Sequence, residues 1–181
     1  MSYDVALALH LLSVLALIGG ITVFGVCYFR IRAADVASEA TPWARLADRT
    51  GWVFPVAILA LFASGAYLTS DRWTWGDPWI LASIAGLLLV TVQGPVVAAP
   101  RSAALKQALD AGGQTGVLDA RARRLARDRA LWIVLLANPG VVLGIIWNMT
   151  VKPGAAGAVA AIVAGYLAGA AAAVGLTRRH R

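Results

Sequence analysis

The chain has 181 residues, of which 60% are hydrophobic and 14% are charged, and its mean hydropathy is +0.73. This composition excludes a soluble catalytic domain and indicates an integral membrane protein. The formal net charge of +7 would suit nucleic acid in a soluble protein, but in a membrane protein the positions of the basic residues decide its meaning.

Five segments reach the length of about 20 apolar residues that crosses roughly 30 Å of hydrocarbon. They are residues 5–29, 51–70, 79–99, 131–151 and 154–176. The sequence therefore predicts an all-α integral membrane protein with five transmembrane helices in one bundle. We expect residues 1–153 to form a four-helix membrane domain, and residues 154–181 to add a fifth helix rich in Ala and Gly and a basic tail.

The basic residues predict how the bundle lies in the membrane. Fourteen of the sixteen follow spans one, three and five, and only Arg72 and Lys152 fall on the other side. By the positive-inside rule the N-terminus lies outside and the C-terminus in the cytoplasm, as in a multi-pass protein of a bacterial inner membrane. The lipid bilayer is then the expected partner, and nucleic acid is not expected.

The loop of residues 100–130 carries the densest basic stretch. The glycine pair at 112–113 is expected to split it into two helical pieces. In the second piece, LDARARRLARDRA, Asp119 and Arg123 are spaced i,i+4, so that a helix running straight into span four is predicted. Its arginines are read as a topology signal on a solvated helix face, with anionic lipid headgroups or an acidic partner as the alternative.

Span five has small residues at every fourth position. Gly157, Gly165 and Gly169 belong to this row, together with Ala161 and Ala173. Such a row predicts a smooth helix face that another backbone approaches closely. Packing within the chain and packing on a second copy both remain open, and the second alternative would make a homodimer.

His10 interrupts the apolar run LALHLLSVLALIGG at residues 7–20. Gly20 lies about 15 Å further along the same helix and leaves a flat surface there, which would suit the plane of a haem between helices. His10 is therefore the candidate axial ligand of haem iron, and Gly20 is a candidate haem-contact residue. Met149, at a similar depth, is the candidate second ligand, and His10 of a second copy in a C2 dimer is the other.

The structural alternative for His10 is a hydrogen bond to Ser64, Ser83 or Asn148 that fixes span one in register. Enzyme function is not expected, because no HExxH, GxSxG, P-loop or dinucleotide motif occurs and no acidic residue lies within a span. His10 is thus the one histidine inside the predicted spans.

The run LALHLLSVLALIGG resembles the first span of the CopD-like group of bacterial membrane proteins. Up to residue 153 the chain resembles an uncharacterised bacterial family of predicted integral membrane proteins in that neighbourhood. The motifs that carry the resemblance are LeuHis at 9–10, GlyGly at 19–20, RLADRTGWVFP at 45–55, SerGly at 64–65 and MTVKP at 149–153.

Copper-resistance permeases and haem-associated enzymes are related groups, so the resemblance implies metal or haem handling. Copper ranks below haem, because soft ligation needs several Met, His or Cys side chains and the spans hold very few. The sequence therefore predicts a small subunit that binds haem b or is associated with redox chemistry. The alternatives are a non-catalytic structural or accessory subunit of a membrane complex and a permease-like carrier of a metal or small solute.

Overall fold

The computed structural model describes residues 2–111 and 116–178, and over these residues the regular structure is helical. Eight α-helices follow one another there: α1 Tyr3–Ala33, α2 Ala37–Thr50, α3 Val53–Arg72, α4 Pro78–Gln93, α5 Ala99–Ala111, α6 Ala120–Ala126, α7 Arg129–Val151 and α8 Ala155–Arg178. A π-helical turn, Gly94–Ala98, joins α4 to α5. Pro95 lies in this turn, and because it lacks a backbone N–H it disrupts the regular α-helical ladder there.

Five helical segments are long and apolar enough to cross a membrane: α1, α2 with α3, α4 with α5, α6 with α7, and α8. The predicted all-α fold with five spans is therefore confirmed. The orientation of the termini stays a prediction. We call the end of the bundle with the last turn of α1 and the first turn of α7 the basic end, and the other end the opposite end.

The helix predicted to run without interruption into span four is broken in the structure. α6 ends at Ala126, and α7 begins at Arg129. Asp128 between them is the N-cap of α7, and its carboxylate accepts a hydrogen bond of 2.8 Å from the Leu131 N–H. The same carboxylate lies 3.0 Å from Nε of Arg101. A capping carboxylate satisfies an otherwise free N–H, so it favours a new helix start over continuation.

Arg123 also differs from its predicted role. It donates hydrogen bonds to the carbonyls of Leu118 and Asp35, at 3.1 and 3.3 Å, and makes no ion pair with Asp119 among the described residues. Arg123 is therefore bonded to the residues just before α6 and just after α1, and not in an i,i+4 pair. The glycine pair at 112–113 lies outside the described residues.

The core divides along the length of the bundle. At the basic end, the fully buried Trp132 donates from its indole N–H to the Ala126 carbonyl at 2.8 Å and packs in a large cluster with Ile31 and Leu105. Nearer the middle, Leu17 on α1, two α3 residues and Val142 on α7 form a second apolar cluster. α1 packs on α2 and α3, and α4 packs on α7 and α8. These contacts fix the rotation of α1, and hence where His10 points.

Candidate functional site

His10 makes its polar contact with α3. Its Nδ1 lies 3.1 Å from Oγ of Ser64, one of the three partners that the structural alternative offered. Another of the three, Ser83, donates to the Trp79 carbonyl of its own helix at 2.7 Å. The third, Asn148, donates from Nδ2 to the Ala158 carbonyl on α8 at 3.1 Å. His10 therefore links α1 to α3 near the opposite end of the bundle.

The hydrogen-bond network assigns the tautomer of the imidazole. The Ser64 hydroxyl has one hydrogen, and its Oγ lies 2.6 Å from the Ala60 carbonyl, so it donates there. Towards His10 this oxygen is consequently the acceptor, and Nδ1 carries the hydrogen that it donates. In the neutral imidazole the lone pair is then on Nε2. Nδ1 is thus hydrogen-bonded within the bundle, while Nε2 is the nitrogen available to coordinate a metal.

Gly65 makes room for the imidazole ring. A Cβ built on Gly65 would lie 3.3 Å from Cε1 of His10, tighter than an ordinary van der Waals contact, and 3.6 Å from Nδ1. Ser64 makes the polar contact and Gly65 leaves the space, so these two adjacent residues together accommodate the His10 side chain. The LeuHis and SerGly motifs, more than fifty positions apart in the sequence, thus meet at one contact.

The surface beside Gly20 is filled. Gly20 is buried, and a Cβ built there would lie 3.5 Å from the Phe54 ring and from the Val53 side chain. The Phe54 ring also makes an edge contact with Phe24, with 5.6 Å between centroids. Between His10 and Gly20, Leu17 is buried in the apolar cluster with α3 and α7. Within one chain, these residues do not fit a haem plane between α1 and α3.

Met149 lies in the last turn of α7, with 37% of its surface exposed. Its neighbour Asn148 is fully buried and turned towards α8. Met149 thus lies at the partly exposed end of α7, and its pairing with His10 as a second ligand stays a prediction.

Two glycines of the fifth span, Gly165 and Gly169, pack against α7 of the same chain. A Cβ on Gly165 would overlap the backbone of Gly140, and one on Gly169 would overlap the Leu136 carbonyl. Gly157 has a different neighbour: a Cβ there would lie 3.0 Å from Cβ of Pro153, in the turn before α8. Gly165 and Gly169 therefore allow backbone-to-backbone approach of α7 and α8.

Lys152 is a structural residue that we did not predict. It ends α7 in the left-handed conformation, with φ of 51°, and its Nζ lies 3.9 Å from the centroid of Trp73 and 5.9 Å from that of Trp79. Cation–π contacts of this kind join the α7–α8 turn to the α3–α4 turn. The MTVKP motif contains Lys152, but only the fold shows that it reaches the two tryptophans.

Among residues 2–111 and 116–178, no three or more His, Cys, Asp or Glu side chains come together as metal ligands would. The fold and the site define a multi-pass helical membrane protein in which a histidine links two spans. The chain belongs to the family described as "Predicted integral membrane protein (DUF2269)", a domain of unknown function, whose model matches residues 4–153. No significant match is found among curated proteins or solved structures. The likeness to the CopD-like group stays a prediction.

Proposed function

We propose that this chain is a non-catalytic structural or accessory subunit of a membrane complex, located in a bacterial inner membrane. In this chain His10 fixes α1 against α3. The hydrogen bond of 3.1 Å from Nδ1 of His10 to Ser64 carries this proposal. A polar side chain in the hydrocarbon region is costly unless it is paired, and the pairing here also sets the rotation and depth of α1. The role of His10 is then to define one packed arrangement of the bundle.

The packing below His10 supports this function over a haem site inside one chain. Phe54 covers the flat surface at Gly20, and Leu17 is buried among apolar side chains. A haem between α1 and α3 would require both helices to separate over several turns. Separation would expose the Leu17 cluster and break the contact to Ser64, so haem binding between α1 and α3 is incompatible with the observed packing.

A second candidate function, a haem shared by two copies, is supported by the tautomer of His10. Nδ1–H is oriented by Ser64 and the lone pair is on Nε2, which is the arrangement that metal-ligating imidazoles use. His10 is half-buried and has exposed neighbours, Leu9 and Leu11, on the outer surface of α1. A C2 dimer through α1 would supply a second imidazole without disturbing the α1–α3 contact.

The absorption spectrum of the detergent-purified protein distinguishes the two candidates. The protein is expressed with haem precursor supplied, and spectra are recorded oxidised and dithionite-reduced, beside His10→Ala and Ser64→Ala. For the structural subunit we expect no Soret band in any of the three proteins. A Soret band in the wild type that His10→Ala abolishes would overturn this proposal in favour of the shared haem.

The carrier alternative requires its own measurement. Reconstitution of the same protein into liposomes, with flux of copper ions and small solutes recorded against empty liposomes, tests it directly. The structural function predicts equal flux in liposomes with and without the protein. Flux above the empty liposomes would contradict it.

A further inference from the structure

A cavity of about 330 Å³ lies at the basic end, between the end of α1, the start and end of α6, and the end of α8. Its lining includes Arg32, Arg123 and Arg127, with Asp35 as the acidic side chain. Three guanidinium groups against one carboxylate leave a formal charge of +2. Because walls of low dielectric strengthen such a field, the cavity favours an anion.

Arg32 is held firmly but is not fully hydrogen-bonded. Its Nη2 donates to the Leu176 carbonyl near the end of α8 at 3.1 Å, and its guanidinium carbon lies 5.2 Å from the centroid of Trp132. Its Nη1 is buried and has no hydrogen-bond partner among the described residues. A buried charged N–H without an acceptor costs more than a neutral one, so a turn of the guanidinium that brings Nη1 to an acceptor in the cavity would be favoured.

The two other arginines have different roles. Arg123 is already engaged with the carbonyls of Leu118 and Asp35, so it closes the wall of the cavity. The side chain of Arg127 makes no hydrogen bond or ion pair with any described residue, although it lines the same cavity. Arg32 and Arg127 therefore hold the donors that remain for a ligand. Guanidinium groups match the geometry of phosphate oxygens and bind them with paired hydrogen bonds.

The position of the cavity favours a phosphate carried by a lipid. Phe29 lies one turn before Arg32, lines the cavity, and has 44% of its surface exposed. An apolar side chain beside arginines at the end of a span matches the boundary between acyl chains and headgroups. A phospholipid already presents its phosphate at this depth, whereas an acidic protein segment would have to enter the headgroup region.

We propose that Arg32 and Arg127 form a binding site for a phosphate group at the basic end of the bundle, occupied by the headgroup of an anionic phospholipid or by free phosphate. The inference does not depend on His10, so it stands or falls separately from the proposed function. Arg32 and Arg127 then bind a ligand, in addition to contributing to the positive-inside signal.

Binding is measured by native mass spectrometry of the purified full-length chain. The ligands are phosphatidylglycerol and the diacylglycerol with the same acyl chains, which lacks the phosphate. Phosphatidylglycerol is expected to bind the wild type at least tenfold more tightly than diacylglycerol. Arg127→Gln is the main variant, because its side chain makes no described contact within the protein that folding would lose. We expect it to weaken phosphatidylglycerol binding by about tenfold, since a charge-assisted hydrogen bond is lost.

Arg121→Gln is the matched control, because Arg121 is exposed on α6, six residues before Arg127, and does not line the cavity. It removes the same charge and should leave binding unchanged. Equal weakening by Arg121→Gln and Arg127→Gln would overturn the site in favour of a diffuse charge effect. Equal binding of the two lipids by the wild type would also overturn it.

Inorganic phosphate and an acidic peptide distinguish the source of the anion. Millimolar phosphate that displaces phosphatidylglycerol from the wild type supports a site for the phosphate group itself. Phosphatidylglycerol binding that depends on Arg127 and resists phosphate supports the lipid as the ligand. Binding of a polyglutamate peptide that depends on Arg127, without binding of phosphatidylglycerol, would overturn the proposal and indicate an acidic protein partner.

Discussion

The contact between His10 and Ser64 predicts a coupled loss of stability when the two residues are changed. His10→Ala removes the imidazole, Ser64→Ala removes its acceptor, and the double variant removes both. A donor–acceptor distance of 3.1 Å lies within the ordinary range for an N–H···O hydrogen bond. Interhelical hydrogen bonds of this kind in membranes contribute about 0.6 kcal/mol on average and at most about 1.7 kcal/mol. We therefore expect the double variant to lose about 0.6 to 1.7 kcal/mol less than the sum of the single losses.

The coupling is measured by reversible unfolding in mixed detergent micelles, with the free energy of unfolding determined for all four proteins. Ser83→Ala provides the control, because Ser83 is also buried but bonds only to its own helix, at 2.7 Å. Combined with His10→Ala it should be additive. If His10→Ala and Ser64→Ala are additive to within about 0.3 kcal/mol, the contact does not hold α1 to α3 and the reasoning fails.

Two glycine positions give further predictions, each measured as the midpoint of thermal unfolding. Gly65→Ala places a Cβ 3.3 Å from the imidazole, so we expect its free energy of unfolding to fall by about 1 kcal/mol, with a lower midpoint. Gly19→Ala has open space around it and should leave the free energy of unfolding unchanged or raise it by about 0.5 kcal/mol. Equal midpoints for these two variants would contradict the packing at His10. Gly165→Ala would overlap the backbone of Gly140 and should cost about 2 to 3 kcal/mol by separating α7 from α8, against no loss for Gly175→Ala. An unchanged midpoint for Gly165→Ala would show that the two helices do not approach closely.

The number and extent of the spans follow from the sequence because the membrane imposes them. Hydrocarbon thickness requires about 20 apolar residues for each crossing, so hydropathy alone finds α1, α3, α4, α7 and α8. The same constraint does not fix the rotation of a helix about its axis. Three partners for His10 were therefore open in the sequence, and only the packing of α1 on α3 selects Ser64.

The sequence indicated the start of α7 only in part and gave no sign of the unpaired nitrogen of Arg32. Asp128 has a side chain that favours an N-cap, and in the structure it caps α7. The i,i+4 spacing of Asp119 and Arg123 predicted a continuous helix instead, but Arg123 bonds to backbone carbonyls and not to Asp119. Arg32 looks like any other residue of the positive-inside pattern. Its unpaired nitrogen exists because α8 and Trp132 surround it, and neither proximity can be read from spacing along the chain.

Nitrogen NMR of the His10 imidazole tests the central claim most directly. The protein is labelled with ¹⁵N-histidine in detergent micelles, and His10→Ala identifies the signals that belong to His10 and not to His180. We predict a hydrogen on Nδ1, an uncoordinated Nε2 with a lone pair, and loss of the hydrogen-bonded Nδ1–H shift in Ser64→Ala. A hydrogen on Nε2, or a shift or broadening that shows Nε2 bound to a metal, would contradict the account of His10 as the link between α1 and α3.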